Sequence, residues 1–259
     1  MINEFIKKIY WLLSTQFGID LRRFFFSIRG APRFLQDWFK FRTAYAGAME
    51  LRPCLYDWYE EGGSTKNEYF WQDLHIARKI AIASPKKHVD IGSRIDGFVA
   101  HVASFREIEV FDIRPITARI EGIVFKQADF MNPPPALAGY CDSLSCLHAL
   151  EHFGLGRYGD AVDPNGDISG LKNMTGLLQA GGIFYLSVPI GVERVEFNAH
   201  RVFNPQKLVL MAGELGLKLQ EFAWFETGKG LVQSFDLEFD MRTMSARRYA
   251  LGIFIFRKK

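Results

Sequence analysis

With 259 residues, 48% hydrophobic and 24% charged, the chain has room for one large α/β domain and a small extension, and its length argues against a second full domain. A net charge of +3 argues against a nucleic-acid binder on bulk electrostatics. No run approaches the roughly 18 to 20 apolar residues of a membrane span, and the N-terminus lacks an apolar stretch followed by a small-residue cleavage site.

The charge is unevenly spread. In the first fifty residues Lys7, Lys8, Arg22, Arg23, Arg29, Arg33, Lys40 and Arg42 oppose only Glu4, Asp20, Asp37 and Glu50. Ile2, Phe5, Ile6, Ile9 and Leu13 fall at helical spacing, with Lys7 and Lys8 off that stripe, which predicts an amphipathic helix. A second aromatic and basic run over 21–29 leads through Gly30 and Pro32 into another predicted helix over 34–41. Residues 1–52 therefore read as a helical extension and 53–259 as the main domain. The extension either buries its aromatics against that domain or docks on a partner or, peripherally, on the inner face of a membrane. Cys54, Cys141 and Cys146 have no metal-ligand spacing, so free thiols in a reducing cytoplasm are expected.

A linker near Pro53 and Gly62-Gly63-Ser64 precedes a predicted helix over 69–83, ended by Ser84-Pro85. Strands over 88–92, 107–113, 123–129 and 141–147 follow, with a helix over 98–105 after the first. A helix over 168–178 and a strand over 182–188 come next. Asn204-Pro205 is a cap and first-turn pair for a helix ending at Gly216. Strand-like runs over 218–225 and 251–256 close the chain. Strands alternating with crossover helices predict a three-layer, mostly parallel sheet, and the last two runs predict an antiparallel edge.

Ligands of such sheets bind beyond the carboxyl ends of the strands. After the first strand stand Gly92 and Gly97, where absent side chains admit a ligand to the backbone near a helix N-terminus, although a plain strand-to-helix turn also uses glycine. Asp112, twenty positions on, ends the second strand, where a carboxylate can accept both hydroxyls of a ribose or serve as a cap. Asp129 can meet an adenine amino group, with Phe130 packed on the base, or cap the next turn. Arg94 occupies the position where a dinucleotide loop needs glycine to approach a pyrophosphate, which favours S-adenosylmethionine (SAM) over a nicotinamide dinucleotide.

His88-Val-Asp-Ile-Gly-Ser, Phe111-Asp-Ile-Arg-Pro, Ser145-Cys-Leu-His-Ala-Leu-Glu-His152, Gly154-Leu-Gly-Arg-Tyr-Gly-Asp160 and Phe197-Asn-Ala-His-Arg201 occur together. In this combination the sequence resembles a methyltransferase-like family, domain of unknown function 268 (DUF268), over residues 69–225. The segments 147–152 and 181–189 are similar to the fourth- and fifth-strand motifs of class I SAM-dependent methyltransferases. The resemblance implies a Rossmann-like, seven-stranded class I methyltransferase fold with SAM over the first, second and fourth strand ends. Carried over by position, it implies Asp90 and Gly92 near the methionine moiety, Asp112 at the ribose, Asp129 at the adenine, and Leu147 and His148 beside the cofactor; Ser93, Gly97, Ile113 and Phe130 are further cofactor-binding candidates next to them. Arg94 and Asp96 depart from the glycine pattern of such loops.

Methyl transfer to oxygen requires alignment and removal of a proton. His152, with Glu151 to orient it, is the candidate base after the fourth strand; the same pair can instead fix the following loop by hydrogen bonds. His200 and Arg201 are candidates to line the acceptor pocket, with Arg201 pairing a carboxylate or phosphate, or else bridging to Asp160 or Asp163. Asp163, Asn165 and Asp167 imitate the start of a calcium loop without its later Glu, so no metal is expected. The expected substrate is a small polar acceptor, with a sugar or glycan-linked intermediate of surface polysaccharide synthesis implied by the resemblance. The alternative is a non-catalytic module that binds a nucleotide-like ligand or a protein. The sequence carries no signal for oligomeric state.

Overall fold

The computed structural model describes residues 2–134 and 137–259. The side chains of Ile2 and Phe5, part of the predicted N-terminal stripe, and of Lys7, off it, lie outside the described residues. The chain divides into two compact units, Met1–Ser64 and Thr65–Lys259.

In the first unit, helix α1 (Ile2–Gln16) is followed by helix α2 (Leu21–Ala44) and a short 3-10 turn at Asp57–Tyr59. Asp20 caps α2, its carboxylate accepting from the backbone N–H groups of Arg22 and Arg23. The break expected at Gly30 and Pro32 is absent: α2 runs through both. Proline removes a single N–H from the ladder, and the flanking turns continue. Gly30 serves packing, because a Cβ there would sit 1.9 Å from the Leu55 carbonyl oxygen. On the same side Tyr59 stacks on Phe26 at 4.8 Å, and the Arg33 guanidinium lies 3.1 Å from the centre of the Trp58 ring.

The second unit opens with helix α3 (Glu68–Ala83), capped by Asn67 and ended by Ser84 in a left-handed conformation. Strand β1 (His88–Ile91) leads through a π-helical turn (Ile95–Val99) into α4 (Ala100–Ala103), β2 (Ile108–Asp112), β3 (Ile123–Gln127) and β4 (Cys141–Leu147). A 3-10 turn at Leu150–His152, helix α5 (Gly166–Leu177) and β5 (Leu178–Ile190) follow. Then come a small ribbon of β6 (Arg194–Glu196) and β7 (His200–Val202), helix α6 (Pro205–Glu214), β8 (Leu217–Glu226), β9 (Gly230–Gln233), α7 (Leu237–Ser245) and β10 (Ala250–Lys258).

The sheet order is β3-β2-β1-β4-β5-β10-β8-β9. The first five strands are mutually parallel, and β10 is antiparallel to both β5 and β8. The sheet has eight strands where seven were expected. The additional one, β9, is a short hairpin partner of β8 and forms the antiparallel edge, while β10 lies inside the sheet. Side chains alternate between two cores, as a strand period of two requires. Ile253 and Ile255 pack with Ile76 and Ile80 of α3 and with Phe98 and Val102, whereas Phe254 and Phe256 pack with Leu171 of α5, Leu208 of α6 and Met244 of α7. This is the predicted three-layer α/β fold, and it presents the carboxyl ends of β1, β2, β4 and β5 on one side.

Candidate active site

Those strand ends open onto a cavity of about 630 Å³, within the usual range for small-molecule sites. Its first wall is the loop after β1. Gly92 has φ +73°, and a Cβ there would meet the Ala149 Cβ at 2.9 Å, so glycine alone lets this loop close against the segment after β4.

Beneath the loop Asp90 is fully buried and accepts from Ser93 N (3.0 Å), Ser93 Oγ (2.6 Å) and Ser145 Oγ (2.5 Å). Burial pushes its carboxyl up to about 7 against those hydrogen bonds. Leu147 N donates in turn to Ser93 Oγ, tying the loop to the end of β4. Asp90 and Leu147 thus lie behind the cavity wall and brace it. Gly97 is also behind the wall, where a Cβ would lie 2.6 Å from Asp73 Oδ2 on α3. Ser93, Arg94 and Asp96 do reach the cavity. Arg94 and Asp96 neutralise one another in a bidentate pair (3.1 and 2.7 Å), and the Arg94 guanidinium lies 5.5 Å from the centre of the Tyr69 ring.

The second wall holds Asp112 and Ile113 from the end of β2 and Asp129 and Phe130 from beyond β3. Asp112 is gripped by Arg114: Oδ1 accepts from Nε at 2.9 Å and from the backbone N–H at 2.8 Å, and Oδ2 accepts from Nη2 at 2.5 Å. Asp129 accepts from Met131 N at 2.8 Å, and Phe130 packs edge-on against Phe111 at 5.2 Å.

The third wall is polar and comes from the segment after β4, the β6–β7 ribbon and the approach to β10. His148 takes a left-handed φ of +53°, unusual outside glycine. That turn brings its Nδ1 to 2.9 Å from Glu151 Oε1 and its ring to 4.4 Å from Tyr69. Burial acts on both members of this pair, yet their mutual bond wins: His148 is raised and Glu151 lowered from their ordinary values. Among the described residues, Glu151 Oε2, His148 Nε2 and His200 Nε2 are buried without a hydrogen-bond partner, although His148 Nε2 lies 3.6 Å from Glu68 Oε1 and His200 Nε2 3.8 Å from Glu196 Oε2. Burial holds the His152 and His200 imidazoles below the ordinary histidine value. His152 Nδ1 lies 2.7 Å from the Ala199 carbonyl oxygen, which can only accept, so Nδ1 carries the proton and Nε2 keeps a lone pair. That Nε2 lies 3.8 Å from Glu151 Oε1.

Arg201 is not in the cavity. Its buried guanidinium donates to the carbonyl oxygens of Phe153 and Pro164, with Nε 3.4 Å from Asp167 Oδ1, and so pins the 153–167 loop. The sequence reading overlooked Tyr69, Arg114, Arg157, Tyr158 and Tyr249, all of which line the cavity. Tyr249 donates to Glu68 Oε1 at 2.5 Å, and Arg157 donates to Ala199 O at 2.8 Å beside His152. Only Arg114, two positions beyond Asp112, and Arg157-Tyr158, inside a quoted motif, had a local signal.

Several solved structures share the fold. A candidate sarcosine dimethylglycine methyltransferase from Galdieria sulphuraria matches with a TM-score of 0.51 and 13% identity over 72% of this chain and 84% of that one. The N-methyltransferase NodS from Bradyrhizobium japonicum, in complex with S-adenosyl-L-homocysteine (SAH), matches with 0.50 and 14% over 75% and 89%. The [4+2]-cyclase SpnF matches with 0.50 and 11% over 71% and 80%. No curated protein matches the sequence. Residues 87–246 match the model described as Caenorhabditis protein of unknown function, DUF268, and because this match spans more than half of the chain, the protein belongs to the DUF268 family.

Proposed function

We propose that the chain is a SAM-dependent methyltransferase acting on a hydroxyl of a small polar acceptor. Fold alone does not specify a reaction, and the cyclase among the structural neighbours illustrates this. The observation that carries the reading is the union of two half-sites in one cavity: a carboxylate ending β2, suited to a ribose, and buried polar atoms of His148 and Glu151 that lack a hydrogen-bond partner among the described residues. Unmatched buried polar groups are costly, and a bound ligand is one way to satisfy them.

On this reading Asp112 accepts the ribose hydroxyls after Arg114 yields, Gly92 and Ser93 bring the loop backbone close to the cofactor, and Asp129 and Phe130 border the adenine. SAM supplies the activated methyl group. His152 Nε2 removes the acceptor proton, while His148 Nε2 donates to the acceptor oxygen, Glu151 Oε2 accepts from a neighbouring hydroxyl of the acceptor and His200 borders it. A sugar or a glycan-linked intermediate of surface polysaccharide synthesis suits a pocket in which the lowered His152 and His200 imidazoles stand beside carboxylates and aromatic rings. The buried thiols of Cys141 and Cys146 support a reducing compartment, and the basic N-terminal unit supports a position at the inner face of a membrane. Among the described residues no helix is long and apolar enough to cross one.

Calorimetry with SAM and SAH tests the reading; no binding of either at millimolar concentration overturns it. Release of SAH across a panel of free and nucleotide-linked sugars then tests the acceptor class. A second reading, a non-catalytic module for a nucleotide-like ligand, is favoured by the Arg114 clamp on Asp112 and the Arg94–Asp96 pair. Binding of adenosine nucleotides without binding of SAM distinguishes it.

A further inference from the structure

Helix α2 turns its apolar residues toward solvent. At about 100° per residue, Leu21, Phe24, Phe25, Ile28, Leu35 and Phe39 fall in one stripe about 100° wide, and each is more than half exposed. The opposite face is already used, with Gly30 against Leu55 and Phe26 on Tyr59. Between the two faces Arg22, Arg29, Arg33 and Lys40 share a second line beside the apolar stripe. Arg33 leans on Trp58 and lies 3.5 Å from Asp37, the one acid within α2 against six bases. The helix is about 36 Å long at the usual rise, so the apolar stripe is a continuous exposed surface of a kind that marks an interaction site.

Its partner must accept bulky apolar side chains and carry negative charge beside them. A bilayer with anionic headgroups does both along the whole helix. A second copy of this chain would bring the same basic row to the contact, and like charges disfavour that pairing. We propose that α2 lies in the plane of an anionic membrane surface, with the Phe24 and Phe39 side of the helix among the acyl chains and the arginine and lysine row reaching the headgroups. Gly30, where the sequence suggested a break, admits the Leu55 backbone on the far side of this helix.

The test is co-sedimentation of the full chain with vesicles of phosphatidylcholine alone and of phosphatidylcholine mixed with phosphatidylserine. Binding to the mixed vesicles only, weakened at about 1 M salt, is expected. Phe24→Ser with Phe39→Ser, and separately Arg22→Gln with Arg29→Gln and Lys40→Gln, should each lower the bound fraction at least about tenfold. Far-UV circular dichroism and thermal unfolding of both variants keep loss of folding apart from loss of binding. Negligible binding to both vesicle types overturns the proposal, as does binding that neither variant changes. It is also overturned if the phenylalanine variant converts a dimer to a monomer without altering vesicle binding. No SAM is present, so the outcome is independent of the methyltransferase reading.

Discussion

Arg114 holds Asp112 from both sides of its carboxylate, with Nε 2.9 Å from Oδ1 and Nη2 2.5 Å from Oδ2. A ribose that needs these oxygens has to displace the guanidinium, which also lies 4.6 Å from the centre of the Tyr158 ring and 3.5 Å from the Gly92 carbonyl oxygen. Asp112→Ala should therefore weaken SAH binding by about 1.5 to 3 kcal/mol, the range for hydrogen bonds to a charged group. Arg114→Ala should tighten it by removing the competitor. Calorimetric titration of both variants checks this, and weaker binding by Arg114→Ala would assign the arginine to the ligand.

The histidines of the polar wall should titrate in opposite senses. Burial keeps His152 below 6.5, whereas Glu151 and Glu68 keep His148 above it despite its burial. Imidazole NMR resonances followed over pH should separate the two. Because the proposed base works when neutral, methyl transfer should persist through pH 7 and fall only as pH drops through the lowered His152 value. His152→Ala should leave SAH affinity intact and reduce transfer about 10² to 10⁴-fold.

Glu151 and His148 form a buried pair, so Glu151→Gln should destabilise the fold by about 3 to 5 kcal/mol. The contribution of the lowered carboxyl is present above its ordinary 4.5 and lost as pH falls through the folded value. That of the raised imidazole is present below its ordinary 6.5 and lost as pH rises through the folded value. Urea unfolding of both proteins should show the largest difference between these two limits.

Asp90 has the opposite linkage. An acid raised from 3.8 to about 7 binds its proton more tightly in the folded state, so it lowers stability as pH climbs through that interval. Asp90→Asn should flatten the stability profile there relative to the unmodified protein. Thermal unfolding at a series of pH values reads the difference, and parallel profiles would show that the buried carboxyl does not titrate.

Gly92→Ala combines a left-handed backbone with a 2.9 Å approach to Ala149. The backbone alone accounts for about 1 to 2 kcal/mol. The variant should unfold earlier in denaturant and bind SAH more weakly, because the loop can no longer close on the segment after β4.

The layered fold was legible because strand and helix periods differ and because turn residues punctuate them: β4 (Cys141–Leu147) has the predicted bounds, and Asn204-Pro205 begins α6 as expected. Local chemistry also identified Asp112 at a strand end, and Gly92 and the His148–His152 cluster just beyond strand ends. It did not reveal β9 at the sheet edge, since a four-residue hairpin arm has too few positions for a pattern, nor the continuity of α2 through Gly30 and Pro32, two residue types that ordinarily punctuate helices.

Sequence by itself determined which residues are apolar, which can turn, and which carry charge, and so it determined the sheet and the end of it that holds the cavity. Tertiary structure decided where each polar group points. Asp90 and Arg201 have the residue types of a ligand-binding site, yet they brace the loops from behind because their partners, Ser145 and Asp167, lie far away in sequence. Tyr249 reaches the cavity from 181 residues beyond its partner Glu68. Such pairings follow from chain crossing and packing, over separations at which periodicity and spacing carry no information.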